Sequence, residues 1–140
     1  MRQVPALYLL AGLALSGPAL AATPAAPCPV GDFATFLEQF SARITVQEHA
    51  TADPVLLRRI DPAAMPEPAA YSQTIALADV LWPVMPNLDI ARRHGKQVLV
   101  SGDGGQRQVT VRDPDNGNQV RYVFALQPCW TLQAVYEEAL

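Results

Sequence analysis

From residue 33 the apolar positions fall into a helical rhythm. Phe33, Phe36, Leu37, Phe40 and Ile44 stand at i, i+3, i+4, i+7 and i+11, while Glu38, Gln39, Ser41 and Arg43 take the opposite side. Asp32 lies where an N-cap belongs, and its carboxylate suits the positive end of a helix. The pattern predicts one amphipathic helix over 32–48. Its phenylalanines need a broad apolar partner surface, which a sheet supplies.

Further along, the period shortens to two. After an Asp53-Pro54 turn, Val55 to Ile60 reads as a strand, with a short helix opening at Pro54 as the alternative. Asp61 to Ala70 carries Pro62, Pro66 and Pro68 and reads as a loop. Thr74 to Trp82 is the next strand, stopped by Pro83 and Pro86. Asn87 to His94 reads as one or two helical turns closed by Gly95. Gln97 to Ser101, Arg107 to Arg112 and Gln119 to Leu126 then form a meander, joined by Gly102-Asp103-Gly104-Gly105 and by Asp113 to Gly117. Beyond Pro128 the alternation resumes through Trp130, Leu132, Ala134 and Tyr136, and Glu137 to Leu140 reads as a tail. These elements predict an α+β fold, with one N-terminal amphipathic helix packed on a curved antiparallel sheet of five or six strands.

The first residues follow another logic. Arg2 supplies a positive start, Leu7 to Leu15 an apolar run, and Ala19-Leu20-Ala21 a small-x-small cleavage pattern. Residues 1–21 are therefore expected to be a cleavable signal peptide. The apolar run is shorter than the roughly 20 residues a membrane span requires. A lipid anchor on Cys28 fits poorly, because Pro27 precedes it and the apolar run ends well upstream. Residues 22–30, rich in Ala and Pro, read as an extended lead-in, and 31–140 as a single α+β domain. The mature chain would be periplasmic or secreted, with no membrane span.

Composition narrows the partners. Without Arg2, nine basic side chains face thirteen acidic ones, a charge of −4 that is unlike the basic footprint of a nucleic-acid binder. Cys28 and Cys129 are the only cysteines. An exported protein with two cysteines most often pairs them, whereas a redox pair normally sits close together as C-x-x-C. Two free buried thiols are the other alternative.

The motifs that invite chemistry fail on spacing. Asp113-Pro114-Asp115-Asn116-Gly117 suggests a calcium loop, but the glycine comes one position early and Phe124 stands where a bidentate Glu is required. His49 and His94 lack any H-x-x-x-H pattern, and nothing calls for a metal or cofactor. No mature serine lies in G-x-S-x-G, and Gly102 to Gly105 lacks the Lys-Ser/Thr pair of a phosphate loop. No catalytic residue emerges. Arg92, Arg93 and His94, with Lys96 beside them, form the one dense basic cluster. It reads either as a helix end complementing its own dipole or as a contact for an anion or acidic partner. Trp82, between Val80-Leu81 and Pro83, is the aromatic expected to be exposed for binding.

Phe33-x-x-Phe36-Leu37-x-x-Phe40, then Gln47 and Asp53-Pro54, and finally Val120-Arg121-Tyr122-x-Phe124 with Cys129-Trp130-x-Leu132 resemble a class of small exported bacterial proteins of unassigned function. Their cone-shaped helix-on-sheet fold is similar to the cystatin-like or nuclear-transport-factor-two-like group. The resemblance covers most of 33–136 and rests on aromatic spacing. The chain begins with less helix than the larger fold, which implies an incompletely enclosed pocket. Such folds host enzymes, carriers and interaction modules alike. The reading is a non-catalytic binding or interaction module, inhibitor- or immunity-like roles included, that recognises a protein partner or small ligand on the concave sheet face. The alternative is a small pocket enzyme of hydrolase or isomerase type on the same face.

Overall fold

The computed structural model describes Cys28 and residues 31–138, so the expected signal peptide and most of the lead-in lie outside the described residues. Helix α1, Phe33–Ala42, is capped by Asp32, whose carboxylate accepts from the Thr35 N–H at 2.9 Å. Phe33, Phe36, Leu37 and Phe40 are buried on one side, as the spacing predicts.

The helix is not continuous to residue 48. Arg43 is extended, at φ −133° and ψ 119°, and a second helix α2, Ile44–His49, starts after it. The break rotates the rhythm. Ile44, expected on the buried face, is 45% exposed, and Gln47 is buried in its stead. Its Oε1 accepts from the N–H groups of Val84 and Met85 at 2.8 and 3.1 Å, and its Nε2 donates to Met85 O at 2.9 Å. One amide thus satisfies three backbone groups of the segment before α3, a segment with few hydrogen bonds of its own.

Strand β1, Thr51–Asp61, confirms the strand reading of Val55 to Ile60 and extends it through Asp53-Pro54, which is not a turn. A register shift between Thr51 and Leu56 accommodates a proline that has no N–H to give the ladder. Strand β2, Ala69–Ile75, occupies part of the expected loop and takes only Thr74 and Ile75 of the strand predicted over 74–82, the rest being a bend with a 3-10 turn at Leu77–Asp79. β2 is an edge strand, exposed almost throughout, so no apolar alternation marks it in the sequence. Helix α3, Leu88–Arg93, falls within the predicted helical turns and is capped by Asn87, and Gly95 beyond it has φ 82°.

Strands β3 Gln97–Ser101, β4 Gln106–Arg112, β5 Gln119–Leu126 and β6 Trp130–Glu138 complete a six-stranded sheet in the order β2-β1-β6-β5-β4-β3. The turn between β3 and β4 requires Gly102: its φ is 90°, and a Cβ there would meet Gln106 O at 2.7 Å. Every neighbouring pair is antiparallel except β1 and β6, which run parallel because β1 arrives from the helices rather than through a hairpin. α1 lies across the sheet, and Phe33, Phe36 and Phe40 each meet Phe124 of β5 edge-on, with centroids 5.2–5.7 Å apart. Phe40, Phe124, Met85, Leu132, Val55 and Val109 are fully buried, so the space beneath α1 is solid.

β6 departs from the expected alternation. Val123 pairs with Ala134 but Phe124 pairs with Leu132, so Gln133 is an extra residue on β6. This bulge turns the rest of the strand over. Trp130 and Leu132 share the helix-facing side, after which Val135 and Glu137 take it, while Tyr136 moves to the opposite face. Glu137 is part of a strand, not of a tail. Cys28 is bonded to Cys129 in the β5–β6 turn, with Cα atoms 5.3 Å apart, joining positions 101 residues distant.

Candidate functional site

Beyond the end of α1 the concave face is left open. Val120, Tyr122 and Phe124 point toward the helices from β5, and Phe124 lies under α1. Val120 and Tyr122 instead floor two adjoining hollows. The bulge at Gln133 places Val135 opposite Tyr122 and Glu137 opposite Val120, so Glu137 stands beside the Tyr122 phenol. Leu57 pairs with Val135 and Arg58 with Tyr136, which sets Arg59 on the same face as Glu137.

One hollow, about 440 Å³, runs toward Pro86, Val111 and the Lys96–Asp113 ion pair, whose atoms are 3.0 Å apart. The other, about 260 Å³, is bounded by Leu57, Arg59, Val80, Pro83 and Val84, with Leu81 at its rim. Val120, Tyr122 and Glu137 belong to both. The Gln47 clamp on Val84 and Met85 therefore holds one wall of this cleft in place. Burial, and then the negative charge of Glu137, hold the Tyr122 hydroxyl well above the ordinary phenol range. At neutral pH it is a hydrogen-bond donor on an otherwise apolar floor. On the other side of the cleft, Asp113 is held below the usual carboxylate range, chiefly by its hydrogen bond from Lys96.

The residues singled out from the sequence lie elsewhere. Arg92 is paired with Asp89 at 3.0 Å, and Arg93 Nε donates to Asp89 O at 3.4 Å, both exposed on α3. Lys96 faces Asp113 instead, so the basic run Arg92-Arg93-His94-Lys96 does not act as one cluster. His94 is the exposed C-cap of α3. Trp82, expected to be exposed, is half-buried against the core, and the exposed apolar residue is its neighbour Leu81, at 79%. The cause is packing: the bend after β2 carries the indole inward and the leucine outward. Asp113 to Gly117 forms a hairpin turn, its carboxylate accepting from Asp115 N–H and Asn116 Nδ2. Among the described residues no group of three or more His, Cys, Asp or Glu is placed to hold a metal ion. Sequence reasoning missed Tyr122 and Glu137 as a pair, because strict alternation puts them on opposite faces.

A six-stranded sheet with helices packed on one face can be set beside solved structures. The chain is similar to an NTF2-like (nuclear-transport-factor-two-like) protein from Bacteroides fragilis, with a TM-score of 0.57 over 82% of this chain. The fold is NTF2-like. Sequence identity is 16%, and the match spans 50% of that protein, so the likeness concerns the fold alone. No family model and no curated protein matches the chain. A fold hosts many unrelated functions and assigns none by itself, so what matters here is how this chain fills its concave face. Here its inner part is filled by the phenylalanines of α1, and its outer part is the cleft of Tyr122 and Glu137.

Proposed function

We propose that residues 31–140 act as a single extracytoplasmic binding module without catalytic activity, taking a small ligand or a side chain of a partner protein into the concave cleft. The observation that carries this reading is the composition of the cleft. A protonated phenol and a carboxylate stand on an apolar floor between Arg59 and the Lys96–Asp113 pair, and exposed Leu81 forms the rim. A few convergent polar groups in an apolar hollow are what orient a bound molecule. An inhibitor- or immunity-like role belongs to the same class. Export is supported by the Cys28–Cys129 bond, which persists in oxidising compartments, and by the signal-like character of residues 1–21. Among the described residues no helix is long and apolar enough to cross a membrane.

A hydrolase- or isomerase-type pocket enzyme is the second reading, favoured by one observation: a carboxylate beside a phenol that stays protonated resembles a base next to a hydrogen-bond donor. The first reading is preferred because Glu137 acts on Tyr122 through charge, with no hydrogen bond aligning the two. Both are tested by titrating a small-molecule fragment set and following backbone amide NMR signals. Shifts at Val120, Tyr122 and Glu137 that disappear in Tyr122→Phe and Glu137→Gln, with the ligand recovered unchanged, support a binding module. Turnover of a cleft ligand that Glu137→Gln abolishes decides for the enzyme. Ligands that bind only outside the cleft refute both.

A further inference from the structure

The sheet ends in two open edges, β2 and β3. β3 pairs with β4 in unbroken register, from Gln97 opposite Arg112 to Ser101 opposite Gln108. Among the described residues no other backbone group bonds to the main chain of 97–101, so its outward N–H and C=O groups stand without a partner. Natural edges are blunted by charge, proline or a bulge. β3 carries none of these: it reads Gln-Val-Leu-Val-Ser, and Leu99 and Val100 are 53% and 51% exposed. Val98 and Val100 lie on the helix-facing side, opposite buried Val111 and Val109, and Leu99 lies on the other.

Another extended strand fits such an edge, and the residues in and around β3 select which one. Laid antiparallel on itself about Leu99, the strand is self-complementary. Leu99 meets the partner's Leu99, Val98 meets the partner's Val100, and Gln97 meets the partner's Ser101, with no like charges opposed. The ends match as well. Lys96 precedes the strand and Asp103 follows it, so antiparallel pairing brings the cation of one copy to the anion of the other at both ends. Asp103 forms no ion pair among the described residues, and the Lys96 side chain, though held by Asp113, is 41% exposed. The other edge lacks this fit. Glu67-Pro68 leads into β2 and Asp79 lies beyond it, so self-pairing there would set a proline at the margin and acid toward acid.

We propose that β3 is the interface between two copies of this chain, which pair antiparallel through residues 97–101 and join their sheets edge to edge. Two five-residue strands bury less than the roughly 1,200 Å² of a stable complex, so the dimer is of the transient class, with a Kd between about 1 µM and 1 mM. None of residues 97–103 lines the cleft of Tyr122 and Glu137, so the pairing and the binding reading stand or fall separately.

Sedimentation equilibrium of the chain purified after export, at concentrations spanning that range, should show monomer and dimer in exchange. Amide hydrogen exchange at 97–101 should slow as the concentration rises, while that at 69–75 stays fixed. Leu99→Lys changes an exposed side chain and sets two ammonium groups against each other at the two-fold axis. It should fold as the parent does and remain monomeric throughout. Asp103→Lys, outside the strand, should weaken the dimer about twofold to tenfold at low salt, the range expected for two exposed ion pairs. A parent that is still monomeric at about 1 mM overturns the proposal. So does a dimer that folded Leu99→Lys leaves intact, or one whose protected edge is 69–75. An affinity that Asp103→Lys leaves unchanged overturns the antiparallel pairing, and capture of another protein's strand by a β3 that never self-pairs overturns the second copy as its occupant.

Discussion

At the scale of single residues, the side chain with the widest structural reach is Gln47. It is 1% exposed, yet it lies in a stretch whose apolar rhythm assigns it no role. Its value comes from the segment it meets: prolines at 83 and 86 leave Val84 and Met85 with backbone groups that no strand or helix satisfies. Replacing the amide by an apolar chain of similar length strands two N–H donors and a carbonyl in the interior. Gln47→Met is therefore expected to cost about 3 kcal/mol or more, since three groups are left unbonded at about 1–3 kcal/mol each. Urea unfolding measures this as a lower midpoint with an unchanged slope. A variant as stable as the parent shows that the loop finds other partners. No spacing in the sequence announces such a residue, because its partners are 37 and 38 positions away.

At the scale of elements, regular patterns were legible and their interruptions were not. The alternation of Val120, Tyr122 and Phe124 placed β5 correctly, and Asp32 and Asn87 marked two helix starts. Arg43 and Gln133 each add one step to an otherwise regular rhythm, and each reassigns everything beyond it to another face. A period shows that neighbours share a face only while the backbone stays regular. The opposite face of β5 and β6 carries its own tie. Arg121 donates to Glu138 Oε1 through Nη2 at 2.7 Å and Nε at 3.2 Å, and Gln119 donates to Oε2 at 2.7 Å. The same guanidinium lies 4.4 Å from the Tyr136 ring centroid.

The hydrogen bond from Arg121, aided by that from Gln119, holds the Glu138 carboxyl below its ordinary value of 4.5 despite partial burial. A depressed carboxyl contributes stability that is complete above its unfolded value and lost as pH falls through the folded one. The wild type should thus lose stability below about pH 4.5 that Glu138→Gln never had, by about 1 kcal/mol or less for a partly exposed pair. Thermal unfolding of both proteins between pH 3 and 7 checks this. Parallel curves across the range contradict it.

At the scale of the whole molecule, one covalent bond ties residue 28 to the far end of the sheet. Closing a loop of about 100 residues restricts the unfolded chain by roughly 4.7 kcal/mol in the chain-entropy treatment, and removing such bonds typically costs 2–5 kcal/mol. Cys28→Ser/Cys129→Ser should therefore unfold at a clearly lower temperature than the parent, and dithiothreitol should lower the parent to the same value. A reductant-insensitive transition equal in both would show that the bond adds nothing to stability.

By itself the sequence indicated the class of fold, the first helix that covers the sheet and a bond between its two cysteines as the default, because each depends on residue type at short repeat or on a choice among few partners. It also excluded the familiar reactive motifs, since those are defined by spacing. Only the tertiary structure decided that β1 joins β6 in parallel, that Gln47 is interior, that Glu137 meets Tyr122, and that the Trp130 indole stands without a partner. Each of these depends on a backbone irregularity or a distant contact. The free energy of such features comes from groups that become neighbours only once the chain has closed on itself.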